Sequence, residues 1–122
     1  MNVIFILVDA LRFDHLGRGG YNGNTTPNID RIAKESVFFT NTITATPSST
    51  HSIASMMTGL YQHSHGLRFI HRQKLNPKIT TLAEVLQVHG YKTSGYDLDS
   101  IGDWVERGFD AFLYCVGGYQ IT

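Results

Sequence analysis

The 122-residue chain reads as an α/β protein built on a mainly parallel sheet, and three stretches carry that reading. Val3-Ile4-Phe5-Ile6-Leu7-Val8 is an unbroken apolar run ending on Asp9. Its length and β-branched content suit a strand buried on both faces. Val37-Phe38-Phe39-Thr40-Asn41-Thr42-Ile43 reads as a second strand. Thr81-Leu82-Ala83-Glu84 is a capping box opening a helix that Gly90 closes, and residues 91–96 follow as another short strand. Strand, helix and strand make a β-loop-α-β unit in which the helix is the crossover.

Composition bounds the rest. The length suits one domain, residues 1–122, with a modest core. Apolar content of 42% and charged content of 16% describe a globular chain and not a disordered one. Ten basic and ten acidic residues cancel, so no nucleic-acid or membrane partner is expected. Cys115 is the single cysteine, which excludes an internal disulfide framework and fits a reducing compartment. The six-residue apolar run is too short for a signal peptide or a membrane span, so a cytoplasmic location is expected.

The elements follow in order. Asp9 stands where a buried strand ends, which is the ligand-binding edge of open parallel sheets, although an acid there can also simply cap a turn. Residues 17–24 hold four glycines and two asparagines and form a surface loop. Thr26 is placed to cap a helix whose first turn holds Pro27, and Ile29, Ile32 and Ala33 share one face of it. Residues 44–55 contain seven hydroxyl side chains and no acid or lysine. They read as a loop feeding a short helix, residues 52–58, stopped by Gly59. Such loops are often only loops, but a neutral one at a helix N-terminus also suits an anion through its free N–H groups. Residues 60–77 form an irregular connection. Its His63 and His65 are placed either to ligate a metal or to be solvated and bonded to backbone. In the helix after Thr81, Leu82, Val85, Leu86 and His89 recur at helical spacing. The tail interleaves glycine with Trp104, Phe109, Phe112 and Tyr114 and shows no clear final element.

Several of these blocks together resemble the sulfatase/alkaline phosphatase superfamily, in particular its sulfatase-like branch. They are Ile6-Leu7-Val8-Asp9-Ala10-Leu11-Arg12, Thr26-Pro27-Asn28-Ile29-Asp30-Arg31-Ile32-Ala33, Met57-Thr58-Gly59-Leu60-Tyr61 with His65-Gly66, residues 81–86 with His89-Gly90-Tyr91-Lys92-Thr93, and Arg107-Gly108-Phe109-Asp110. The resemblance implies the N-terminal part of a three-layer αβα, alkaline-phosphatase-like fold. It implies that Asp9 is a metal ligand at the end of the first strand. Ala10 stands where sulfatases usually carry a second aspartate. The nucleophile falls on Ser49, with Thr50 as the alternative, and His51 and Ser52 are the candidate anion-binding residues beside it.

Two further departures shape the expected chemistry. Thr50-His51-Ser52-Ile53 aligns with the x-Pro-Ser-Arg that accompanies formylglycine formation and keeps its Ser but not its Pro or Arg, so a plain serine nucleophile is expected and formylglycine is not. Residues 97–102 lack the Lys and His with which sulfatases touch sulfate. Phosphate esters are therefore expected ahead of sulfate esters as small-molecule substrates. The implied cofactor is a divalent ion (Zn, Mn or Ca), and its remaining ligands belong much nearer the C-terminus of longer relatives. Asp97, Asp99, Asp103 and Asp110 are candidates by residue type alone. The alternative is a non-catalytic remnant that binds anions or self-associates through an open sheet edge, with Ile4, Ile6 and the tail aromatics needing cover.

Overall fold

The computed structural model describes residues 1–68, 73–97, 102 and 104–114. The chain divides into two compact units, residues 1–43 and 44–122.

In the first unit, two short 3₁₀ turns, Phe13–His15 and Gly17–Gly19, precede helix α1, Pro27–Lys34. Pro27 occupies the first turn as expected. Thr26 is the N-cap residue, but its hydroxyl does not cap. It accepts from the Gly17 N–H at 3.1 Å and donates to Asp30 Oδ2 at 2.9 Å. The Arg18 N–H reaches Asp30 Oδ1 at 2.8 Å, so the glycine-rich loop is bound to the side of α1 by one carboxylate. Of the expected apolar face only Ala33 is buried, while Ile29 and Ile32 are exposed.

The strands expected at 3–8 and 37–43 do not form. Every side chain from Val3 to Val8 is exposed, Ile4 at 83% and Ile6 at 78%. A strand exists only where a neighbour accepts its backbone hydrogen bonds, and no ladder includes this run among the described residues. The apolar pattern states that the run needs cover on both faces; it does not say what covers it.

The second unit holds α2 (Ser49–Thr58), α3 (Gln62–His65), α4 (Leu82–Val88) and the strands β1 (Ser94–Asp97) and β2 (Ala111–Tyr114). Helix α2 begins three residues earlier than the expected 52–58 and ends where Gly59 turns left-handed at φ 70°. The capping box of α4 is present: the Thr81 N–H donates to Glu84 Oε2 at 2.7 Å, and the Glu84 N–H to Thr81 Oγ1 at 3.3 Å. Its inward residue is Ala83, whereas Leu82 and Val85 are exposed.

The strands β1 and β2 are parallel, with Ser94 opposite Ala111 and Asp97 opposite Tyr114. The parallel unit is thus real but differently composed: the neighbour of β1 follows it in sequence instead of preceding α4. Asp110 sets the register, because its Oδ2 accepts from the Thr93 N–H at 2.8 Å and its own N–H reaches the Thr93 carbonyl. The core is Ala54, Met57, Leu67, Leu75, Ala83, Trp104 and Val105, with Phe109, Phe112 and Tyr114 packed against it. Of the tail aromatics expected to need cover, Trp104 is buried in this core and Phe109, Phe112 and Tyr114 are partly buried against it.

Candidate functional site

Helix α2 is the element on which most of the expected site residues sit. Ser48 is its N-cap, and the Ser48 side chain makes no capping hydrogen bond. The first turn itself contains no acid, so the helix supplies no carboxylate of its own to its N–H groups and the positive end of its dipole. Ser49 is the first helical residue and is exposed; Thr50 and His51 behind it are buried at 6% and 5% exposure. Ser52 is half-buried, and its hydroxyl lies 3.0 Å from Thr44 Oγ1, which itself donates to the Thr46 carbonyl. The loop before the helix is thereby tied back to the second turn.

His51 does not stand at the surface with Ser49. Both of its ring nitrogens are buried without a hydrogen-bond partner among the described residues. Two residues along a helix turn the side chain roughly 200° away from Ser49, which explains why one faces solvent and the other the core.

His63 and His65 separate in the same manner. His65 is 2% exposed, accepts from the Leu67 N–H through Nδ1 at 3.2 Å, and lies 3.3 Å from Ser55 Oγ through Nε2. With Nδ1 accepting, the neutral ring carries its proton on Nε2 and donates it to Ser55. Burial first, and then the charge of His51, hold the His65 pKa below the ordinary histidine value. His63 is exposed and stacks on Tyr61, ring centroids 6.0 Å apart. The pair does not converge on a metal, and the backbone-bonded reading describes His65.

Asp9 belongs to the first unit and is exposed; its Oδ1 accepts from the Ala10 N–H at 2.8 Å. Ala10 has φ 57°, a left-handed conformation that non-glycine residues seldom adopt. Divalent cations need roughly six to eight oxygens, or about four nitrogen and sulfur donors. Among the described residues no group of three or more His, Cys, Asp or Glu side chains gathers, so these donors do not by themselves make the expected metal centre. Asp97 lies in β1, and Asp110 is engaged by Thr93 and Gln87. His71, Asp99, Asp103 and Cys115 lie outside the described residues. No helix among the described residues is long and apolar enough to cross a membrane.

Sequence comparison decides the family. The sulfatase family model matches residues 1–120. The chain is a member of the sulfatase family. An ulvan-active sulfatase from Formosa agariphila is 37% identical over 93 residues, covering 76% of this chain and 18% of that protein. An arylsulfatase from Clostridium perfringens is 46% identical over 65 residues, 53% of this chain and 14% of its own. Human arylsulfatase D is 34% identical over 132 residues, 91% of this chain and 22% of its own. The chain thus spans about a fifth of the length of the relatives it matches. A sulfatase-family chain on a small α/β scaffold with a parallel strand pair is the coarse reading that fold and family share.

A second feature escaped the sequence reading. Tyr61, Gln62, His63 and Arg68 line a cleft of about 580 Å³ with Ala45. The signal in the sequence was faint: an aromatic residue, two histidines and an arginine within eight positions, 61–68.

Proposed function

We propose that this chain is the N-terminal part of a hydrolase that cleaves sulfate esters by attack of Ser49 from the N-terminus of α2. The observation carrying this reading is the position of Ser49: exposed, first in a ten-residue helix, behind a Ser48 that does not cap. A tetrahedral oxyanion ester placed there would meet first-turn N–H groups and the helix dipole. The serine oxygen bonds to sulfur, the ester S–O bond breaks and the alcohol leaves, and water then releases sulfate from the serine. A serine hydroxyl needs a base or a metal to lose its proton at neutral pH. Asp9 is the residue of this chain offered to a divalent ion, and its partners are to be sought beyond the donors described above. The scaffold would contribute to a three-layer αβα sandwich.

Phosphate esters are the second reading. Ile53 stands where an arginine accompanies the sulfatase nucleophile, and the Lys and His expected near residues 97–102 are missing. Against this, the matched relatives are named as sulfatases. The test is turnover of p-nitrophenyl sulfate, p-nitrophenyl phosphate and a bis-aryl phosphate diester with Mn²⁺, Zn²⁺ and Ca²⁺ supplied. Sulfate-ester turnover that Ser49→Ala lowers at least about a thousandfold supports the proposal. Turnover of the phosphate esters alone selects the second reading, and no turnover of any ester leaves the non-catalytic anion-binding or self-associating alternative.

A further inference from the structure

Between helix α2 and Leu67 one buried side chain holds the chain down. Gly59 at φ 70° and Gly66 at φ 76° bracket residues 60–65 with two left-handed turns. Of residues 60–66 only His65 is buried; Tyr61, His63 and Ser64 are exposed, and Leu60 and Gln62 are half-buried. His65 is the single buried residue of α3, and it reaches across to α2 through Ser55. Its two ring nitrogens are committed in opposite senses: Nδ1 accepts from the Leu67 N–H at 3.2 Å, and Nε2, 3.3 Å from Ser55 Oγ, donates. A second ring proton has no place there. On Nδ1 it would face the Leu67 N–H, donor against donor, at a residue that is 1% exposed.

We infer that residues 60–66 form an acid-released strap: α3 docks on α2 while the His65 ring is neutral and comes away when the ring takes up a proton. The surroundings give that proton no carboxylate. The titratable group of α2 is His51, which is buried, and that of α3 besides His65 is His63; both add positive charge when protonated. Arg68, next to Leu67, is a permanent cation. Helix α4, which also packs on α2, carries one acid, Glu84, and it is bonded to Thr81 and Arg107. Burial, followed by the charge of His51, holds the His65 pKa down against an opposing pull from the His51 carbonyl. Opening exposes a ring with the ordinary value of 6.5. Above that pH the docking is constant; below it, opening takes up one proton and becomes about tenfold easier per pH unit until the docked ring itself titrates. Release carries Tyr61, Gln62 and His63 away from the cleft that they line with Ala45 and Arg68. Acid thus dismantles the cleft, while the core around Ala54, Met57 and Leu67 stays packed.

The test is native-state amide hydrogen exchange of the 122-residue chain, followed by NMR across the range in which histidine titrates. The His65 and Gly66 amides, which donate to the Tyr61 and Gln62 carbonyls, and the Leu67 amide report the strap; the Val85 and His89 amides report α4. Strap protection, corrected for the intrinsic pH dependence of exchange, is expected to be constant above about pH 6.5 and to fall about tenfold per unit below it. Protection in α4 should stay at least about tenfold higher throughout, as a local opening requires. His65→Gln should abolish the slope. Ser55→Ala should lower strap protection at every pH and keep the slope, since both charge states of the ring donate there. The ring-nitrogen shifts of the unaltered chain should show the Nε2-protonated tautomer at neutral pH. Strap protection that is flat on acidification, a slope that survives His65→Gln or vanishes in His63→Gln, or the Nδ1-protonated tautomer overturns the strap. So does equal protection of strap and α4 at every pH, because the segment then opens only with the whole unit.

Discussion

Arg107 is the side chain whose loss should most damage the second unit. Its Nε donates to Glu84 Oε1 at 3.1 Å, and its Nη2 to Oε1 at 2.9 Å, Oε2 at 3.1 Å and the Ile79 carbonyl at 2.8 Å. Thr81 Oγ1 donates to the Arg107 carbonyl at 2.9 Å, so the same residue joins the capping box of α4 to the turn before β2. The two side chains retain 25% and 28% of their exposure. Hydrogen bonds to a charged group each contribute roughly 1.5–3 kcal/mol when buried, and partial exposure discounts them toward the surface-pair range. Arg107→Met removes the bonds to Glu84 and Ile79 while keeping much of the aliphatic stem, so a loss of about 2–3 kcal/mol is expected. Glu84→Gln, which leaves the Thr81 N–H an acceptor, should cost about 1–2 kcal/mol. The double variant should reveal a coupling of about 1 kcal/mol. Urea unfolding followed through Trp104, the only tryptophan and 3% exposed, measures all three. A loss under about 0.5 kcal/mol for Arg107→Met, or strictly additive variants, would refute the clamp.

Other expectations follow from the same geometry. Gly108 has φ 85°, and a Cβ there would press on the Ala83–Glu84 backbone, whereas nothing lies within 4 Å of one at Gly59. Gly108→Ala should therefore cost about 2 kcal/mol or more and Gly59→Ala only about 1 kcal/mol in the same unfolding assay. His65 has its pKa depressed by burial and then by His51; the unfolded chain takes up a proton that the folded form rejects. Its stabilising contribution is complete above the unfolded value of 6.5 and is lost as pH falls through the lower folded value. Unfolding free energy should decline on acidification from about pH 6.5, and His65→Gln should flatten that slope. For Glu84, burial acts to raise the pKa, but bonds from Thr81 and Arg107 outweigh it and hold the carboxyl below its ordinary value. A second decline should thus begin near pH 4.5, and Arg107→Met should diminish it.

Legibility in the sequence tracked how local the determinants are. The α4 capping box, the Gly59 stop and the Pro27 start were readable because each rests on residues within one turn. Thr26 was placed correctly and its bonds were not, since its partners Gly17 and Asp30 meet only after the glycine-rich loop folds back. β2 was missed although Ala111-Phe112-Leu113-Tyr114 alternates in exposure, because Asp110 and Thr93, 17 positions apart, fix where it pairs. The run 3–8 failed for the opposite reason: its pattern was strong, and a strand's partners are not encoded in the strand. At the site, Ser49 and Asp9 came from a family resemblance. The burial of His51 follows from a helix that starts at Ser49, three residues before the expected 52–58.

The central claim is that residue 49 attacks as an unmodified serine, and rapid acid quench followed by peptide mass mapping tests it most directly. After mixing with a sulfate ester, the peptide spanning residue 49 should gain one sulfo group on Ser49, and in the resting protein it should have the mass of plain serine. A sulfo group on Thr50, which selects the alternative nucleophile, or a resting peptide two hydrogens lighter at residue 49, would contradict the claim for Ser49.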